Sequence, residues 1–187
     1  MKKNEFDNAI KIIKKGGVII CPTDTVYGFI ADATNRKAVE KIYKIKKRQS
    51  EKPLPVFVRD IKMARELADI SKDQEKVLKK YWPGKYTFIL KIKKIIKLYG
   101  QDKKTIALRI PKYKFLNNLL KKINKPLAQT SVNISGEREL KKIKEIIVKF
   151  ENNKNKPDLI INSGNLSKSK PSKIIDLTGI GKKVLRY

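Results

Sequence analysis

The sequence contains no histidine, one cysteine (Cys21), one tryptophan, two methionines and only 18 Asp plus Glu in 187 residues. Each scarcity removes a class of chemistry. Without histidine there is no imidazole general base, no Ser-His-Asp or Cys-His nucleophile and no His/Cys zinc cage. With one cysteine, no disulfide can close within the chain. No stretch approaches the roughly 18 to 20 uninterrupted apolar residues that a membrane span needs, and the charged start, Met1 to Glu5, has no apolar region behind it. A cytoplasmic protein with no membrane partner is expected. Any catalysis has to run on carboxylates, lysines, hydroxyls and backbone groups, or on positioning and electrostatics alone.

Positive charge is what the chain has in excess: 46 Lys plus Arg give a formal net charge of +28. Lysine accounts for 39 of these and arginine for 7, beside 26 Ile and 12 Asn, a bias that AT-rich codon usage produces without any partner. Such a field attracts phosphate polyanions whatever its origin, so nucleic-acid affinity is expected while specificity is not. The scarcity of arginine makes each retained one a candidate for a site that needs a planar, bidentate fork. At 40% hydrophobic residues, a chain of this length buries roughly 70% of its unfolded surface. One folded domain over residues 1–187 is expected.

Apolar periodicity predicts a helix over Asn4–Lys15 stopped by Gly16-Gly17, and a second over Asn35–Lys47 capped by Asn35. Further helices are expected near Ile61–Ala68, Asp73–Tyr81, Lys112–Ile123 and Glu137–Phe150. Strands are expected at Val18–Cys21, Leu54–Val58, Tyr86–Lys93, Thr105–Ile110, Leu127–Gln129, Leu159–Ile161, Ile174–Leu177 and Val184–Arg186, with a polar loop at Ser167–Ser172. The alternation predicts an α/β fold: a twisted, mixed, open sheet flanked by helices.

Four polar clusters fall where buried strands or helices break into turns, the usual place for ligands in open α/β sheets. Pro22–Gly28 carries two threonines and Asp24, and also reads as a hydrogen-bonded turn. Lys46-Lys47-Arg48 ends a helix, where cations also suit the macrodipole. In Thr105–Arg109, period two sets Thr105, Ala107 and Arg109 opposite Ile106 and Leu108, which fits an anion clamp or a solvated face equally. Ser131-Val132-Asn133 with Ser135-Gly136 is a phosphate cradle or a plain N-cap. Neither a Walker loop nor a dinucleotide fingerprint is present.

In this order and spacing the clusters resemble the YrdC-like family of threonylcarbamoyl-AMP synthases, over about Ile10 to Arg186. Gly17–Gly28 is similar to the family's strand and PT(D/E)TVYG signature. Lys46-Lys47-Arg48 with Lys52-Pro53-Leu54, Trp82-Pro83-Gly84 with Thr87–Leu90, Thr105–Pro111, Ser131-Val132-Asn133, Pro171–Asp176 and Leu185-Arg186 follow its other motifs. The resemblance implies a nucleotidyltransferase that joins L-threonine, bicarbonate and ATP, with Mg²⁺ on the phosphates, into threonylcarbamoyl-adenylate and pyrophosphate. A partner threonylcarbamoyl transferase would then modify tRNA. It implies Thr25, Arg109 and Ser172 around threonine, with Arg109 on its carboxylate, and Lys46, Arg48, Lys52, Thr105, Ser131, Asn133 and Arg186 around ATP. No side chain need act as a proton-transfer catalyst, because positioning and charge neutralisation carry such a reaction.

Departures from the pattern are Gln49 after the KxR motif, Phe57 where some members carry a histidine, and Glu139 where a serine ligand sometimes stands. No glycine turn follows Arg186, which fits the short form of the family. A second reading is a non-catalytic module that binds tRNA or double-stranded RNA, or associates with ribosomes. A third, weaker one is the carbamoyl-adenylate chemistry of hydrogenase maturation, against which the absence of zinc and acylphosphatase segments argues.

Overall fold

The computed structural model describes residues 3–166, 169–179 and 181–186; Ser167 and Lys168 of the expected polar loop lie outside them. The elements run α1 (Lys3–Lys14), β1 (Ile19–Cys21), β2 (Gly28–Asp32), α2 (Arg36–Lys46), β3 (Val56–Phe57), α3 (Ile61–Leu67), β4 (Ala68–Asp69), α4 (Lys72–Tyr81), β5 (Tyr86–Ile92) and β6 (Thr105–Arg109). They continue with α5 (Lys114–Ile123), β7 (Leu127–Ser131), α6 (Ile143–Phe150), β8 (Leu159–Ile160), β9 (Lys173–Asp176) and β10 (Lys183–Arg186). The strands form one sheet in the order β10-β9-β5-β6-β3-β7-β2-β1-β8, with β4 paired to the end of β5. The sheet is mixed, as expected. Six residues join β1 to β2, too few for a parallel crossover, so the two pair antiparallel with Cys21 opposite Gly28. Parallel pairs occur where the chain returns from afar, at β1/β8, β3/β6 and β5/β9.

Strand β2 has no counterpart in the sequence expectations. All five of its residues are buried, so it lacks the alternation that marks a half-exposed strand. The helix expected from Glu137 begins only at Ile143. The end of β7 claims the preceding backbone: Asn133 Nδ2 donates to the Glu137 carbonyl (2.9 Å) and Leu140 N–H donates to the Val132 carbonyl (2.9 Å). Asn165 Oδ1 accepts the Ile143 N–H and serves as the cap from another segment.

Period two sorts the side chains onto two faces. Ile20, Phe29, Ala31, Val56, Phe88, Leu90, Ile106, Leu108, Ala128 and Ile175 point to the face packed by α2, α3, α4 and α6. Ile19, Cys21, Ile30, Phe57 and Leu127 point to the other face, where Ala9 and Ile13 of α1 and Leu116, Leu119 and Leu120 of α5 cover them. That cover does not extend over β5, β6, β9 and the far end of β7. The open area is the floor of the site.

Candidate active site

The floor is set by alternation. Ile89 of β5, Thr105, Ala107 and Arg109 of β6, Gln129 and Ser131 of β7 and Ile174 of β9 all line one cleft of ≈ 310 Å³. Its walls come from turns. The Pro22–Thr25 turn supplies Thr25, the residues after α2 supply Arg48, the segment after β7 supplies Glu139, and Ser172 and Arg186 close the far side. Of the residues expected to hold substrate, Thr25, Arg48, Thr105, Arg109, Ser131, Ser172 and Arg186 therefore meet at one place. Lys46, Lys52 and Asn133 are not in the lining.

Arg109 is 2% exposed. Its Nε donates to the Gly84 carbonyl (2.9 Å), and its Nη2 pairs with Asp24 Oδ1 at 2.5 Å. The guanidinium also faces the Phe57 ring, 5.7 Å from its centroid. Gly84 is glycine for a steric reason: a Cβ there would lie 2.5 Å from the Tyr81 carbonyl oxygen. The other Asp24 oxygen accepts the Lys112 N–H (3.0 Å), which ties the Thr25 turn to the end of β6. Burial and nearby Arg186 lower the Arg109 pKa from its ordinary value, and Asp24 works against them. Nη1 has no protein partner among the described residues, so one edge of the fork is available to an anion in the cleft. Asp24 was not among the expected substrate ligands, and nothing in the sequence joins two residues 85 positions apart.

The two threonines of the turn divide the work. Thr23 Oγ1 donates its single proton to the Val26 carbonyl (2.7 Å) and accepts the Thr25 N–H (3.0 Å). In the Thr23–Thr25 hydroxyl pair (3.0 Å) Thr25 must therefore be the donor. Thr25, which lines the cleft, is left with lone pairs and presents an acceptor.

Lys46 sits behind the wall at 1% exposure. Its Nζ donates to the Ser131 carbonyl (2.6 Å), the Asn133 carbonyl (2.9 Å) and Asn133 Oδ1 (2.8 Å), so all three donors are spent on protein. Asn133 is saturated too: its Oδ1 also accepts from Ser131 Oγ (2.9 Å), and its Nδ2 donates to the Ile134 and Glu137 carbonyls. These two residues shape the Ser131–Asn133 turn from within. Burial, aided by Arg48 and opposed by Glu139, pulls the Lys46 pKa down to about 7. After Lys46 the helix ends on Lys47 at φ +50°, and this left-handed turn carries Arg48 to the cleft, where it donates to the Lys52 and Pro53 carbonyls. Lys52 itself is exposed. Arg186 donates to the Ser172 carbonyl through Nε and Nη2 (3.0 and 2.8 Å) and to Ser172 Oγ (3.2 Å), and Ser172 also pairs with buried Thr87 (2.9 Å).

The lining is notable for its cations. Three of the seven arginines border the cleft, and among the described residues no lysine does. A composition bias toward lysine accounts for the surface and not for this. Among the described residues Glu139 is the single acidic one in the lining, and Gln129 is a further lining residue that no motif pointed to.

Three relatives resemble the whole chain. A putative threonylcarbamoyl-AMP synthase of Methanocaldococcus jannaschii is 36% identical over 182 residues, 95% of this chain and 84% of that one. The uncharacterized protein YciO of Escherichia coli is 31% identical over 179 residues, and its crystal structure superposes with a TM-score of 0.88 over 99% of this chain and 89% of that one. The crystal structure of P. abyssi Sua5 complexed with L-threonine gives a TM-score of 0.89 at 28% identity, covering all of this chain and 54% of that one. The chain thus spans little more than half of that Sua5. The Sua5/YciO/YrdC family model, described as "Telomere recombination", matches residues 11–187. With that match and the walls of one cleft built from the motif segments, the chain belongs to the Sua5/YciO/YrdC family.

Proposed function

We propose that the chain is an L-threonylcarbamoyladenylate synthase, which makes threonylcarbamoyl-adenylate and pyrophosphate from L-threonine, bicarbonate and ATP for tRNA modification. The observation that carries this reading is the selection of arginine over lysine in the cleft. A binding surface for a polyanion needs charge of any kind. A carboxylate and a triphosphate held in fixed relation need planar forks on a rigid floor.

In this reading the threonine amine and CO₂ form a carbamate. A carbamate oxygen attacks the α-phosphorus, and the α–β bridging oxygen leaves with pyrophosphate. The open edge of Arg109 takes the threonine carboxylate, and acceptor-only Thr25 takes a donor of the same substrate. Arg48 and Arg186 neutralise phosphate, with Thr105 and Ser131 as neutral partners, while Lys46 and Asn133 hold the Ser131 turn in place. Mg²⁺ arrives with ATP as part of the substrate. Catalysis then rests on juxtaposition and charge compensation, which suits a chain without histidine. The product passes to a threonylcarbamoyl transferase acting on tRNA. The RNA-binding alternative accounts for surface lysines such as Lys37, Lys44 and Lys154, which border a separate basic hollow, but not for the arginine-lined cleft.

The test is pyrophosphate release from MgATP and bicarbonate, with L-threonine, L-serine or L-alanine. Release that requires both threonine and bicarbonate is expected. Folded protein that releases none, or releases it equally without threonine, rejects the synthase reading.

A further inference from the structure

Glu139 is an anomaly in a cleft otherwise bordered by cations and neutral groups. Its backbone is fixed on both sides. The Glu137 carbonyl is held by Asn133 Nδ2, and Leu140, buried at 6% exposure, donates its N–H to the Val132 carbonyl. The side chain is therefore presented from a clamped segment. It is half-buried and makes no hydrogen bond or ion pair among the described residues, although Arg48 and Arg186 line the same cleft and its neighbour Arg138 pairs with Glu145.

An unpaired carboxylate repels a triphosphate brought into the same space. A hard divalent cation carried by the polyphosphate turns that repulsion into attraction. Mg²⁺ is commonly held by one or two protein oxygens, with phosphate oxygens and water completing the octahedron, so a dedicated cage is not required. Among the described residues no group of three or more acidic, His or Cys side chains could hold a metal unaided. Ser131 Oγ, which spends its proton on Asn133 Oδ1 (2.9 Å), keeps its lone pairs and lines the same cleft. We infer that Glu139, with the Ser131 hydroxyl as a second oxygen, is the protein's handle on the divalent cation of a bound nucleoside triphosphate. This inference rests on the ATP reading above.

The experiment is calorimetric titration of the full chain with α,β-methylene-ATP, which cannot release pyrophosphate, in excess Mg²⁺ and separately in chelator. Wild type and Glu139→Gln are compared. A crossed response is expected: the substitution weakens the Mg²⁺ form about tenfold and tightens the metal-free form. With Mn²⁺ in place of Mg²⁺, the electron paramagnetic resonance spectrum of the ternary complex should differ between the two proteins. If Glu139 merely offsets Arg48, both nucleotide forms tighten together. Equal shifts in either direction, or none, overturn the inference while leaving the ATP reading intact. Wild-type protein that binds neither form overturns both.

Discussion

One face of the sheet carries two regions that follow the same alternation and end differently. Over β1, β2 and the start of β7, the outward residues Ile19, Cys21, Ile30 and Leu127 are fully buried beneath α1 and α5, whose Phe6 and Phe115 rings meet edge to face at 5.7 Å. Over β5, β6, β9 and the end of β7, residues of the same parity are Ile89, Thr105, Ala107, Arg109, Gln129, Ser131 and Ile174, and among the described residues no helix contributes to the cleft they line. The comparison shows what makes a site in this fold. The strand geometry is shared, and the cleft exists where helix cover stops and hydroxyl, amide and guanidinium groups replace aliphatic ones. Phe57 stands at the border, packed in the covered cluster and facing Arg109.

Matched substitutions on the two regions give the largest expected effects. Leu119→Ala, under the helical cover, should lower unfolding stability by about 2 to 5 kcal/mol through lost burial and a cavity. Its KM for threonine should not move. Arg109→Ala strands Asp24, whose side chain is only 6% exposed, and breaking a buried pair costs about 3 to 5 kcal/mol. Arg109→Lys isolates function, because a lysine keeps the charge but cannot reach Gly84, Asp24 and a substrate carboxylate at once. Threonine-dependent turnover should then fall by the equivalent of about 2 to 5 kcal/mol. Urea unfolding together with KM for threonine and for ATP separates these cases. A Leu119→Ala protein with a threonine KM raised as far as that of Arg109→Lys would erase the distinction between the regions.

Much of this architecture was legible. Helices α1 and α2 carry clear amphipathic stripes, Asn35 caps α2 by accepting the Ala38 N–H as its position suggests, and the period-two pattern of Thr105–Arg109 placed Arg109 on the face that proved open. What was not legible has physical reasons. Strand β2 is buried on both sides and has no polar phase. Two-residue β4 is too short for any pattern. Helix α6 starts later than the local pattern predicts because Asn133 and Val132 capture backbone groups that the pattern assigns to a helix. The Asp24–Arg109 pair spans the chain, so adjacency in the fold, not in sequence, creates it. The KxR lysine reads as a surface cation at a helix end, yet the fold turns it inward onto three oxygens.

That inward lysine gives the second prediction, of intermediate size, and contrasts two buried cations. Arg109 has a carboxylate partner, whereas Lys46 has only neutral oxygens, and its pKa sits at about 7 in the folded protein. The unfolded chain holds the same proton up to the ordinary lysine value. Between those two points the unfolded state binds more protons, so the Lys46 contribution to stability rises with pH, and below about pH 7 it is flat. Burial is the main cause of the lowered value, with Arg48 adding to it and Glu139 opposing it. Lys46→Met should remove the rise, so the difference in urea midpoint between wild type and variant should grow from about pH 7 to pH 9. Parallel curves over that range would place the ammonium outside the buried network.

The smallest expected effects divide one turn. Thr23 holds the Val26 carbonyl, the Thr25 N–H and the Thr25 hydroxyl, so Thr23→Val should cost about 1 kcal/mol or somewhat more in stability by leaving buried groups unpaired. Thr25→Val removes the acceptor that faces the cleft and disturbs little else, since Thr23 keeps its bond to Val26. It should raise the threonine KM severalfold with an almost unchanged urea midpoint. The hydroxyl nearer the substrate is thus the one that matters less to the fold. The opposite pattern, a stable Thr23→Val protein with a raised threonine KM beside a destabilised Thr25→Val protein with a normal one, would exchange the two roles. It would also move the open region's edge by two residues toward β1, into ground that the present packing assigns to the turn's own hydrogen bonds.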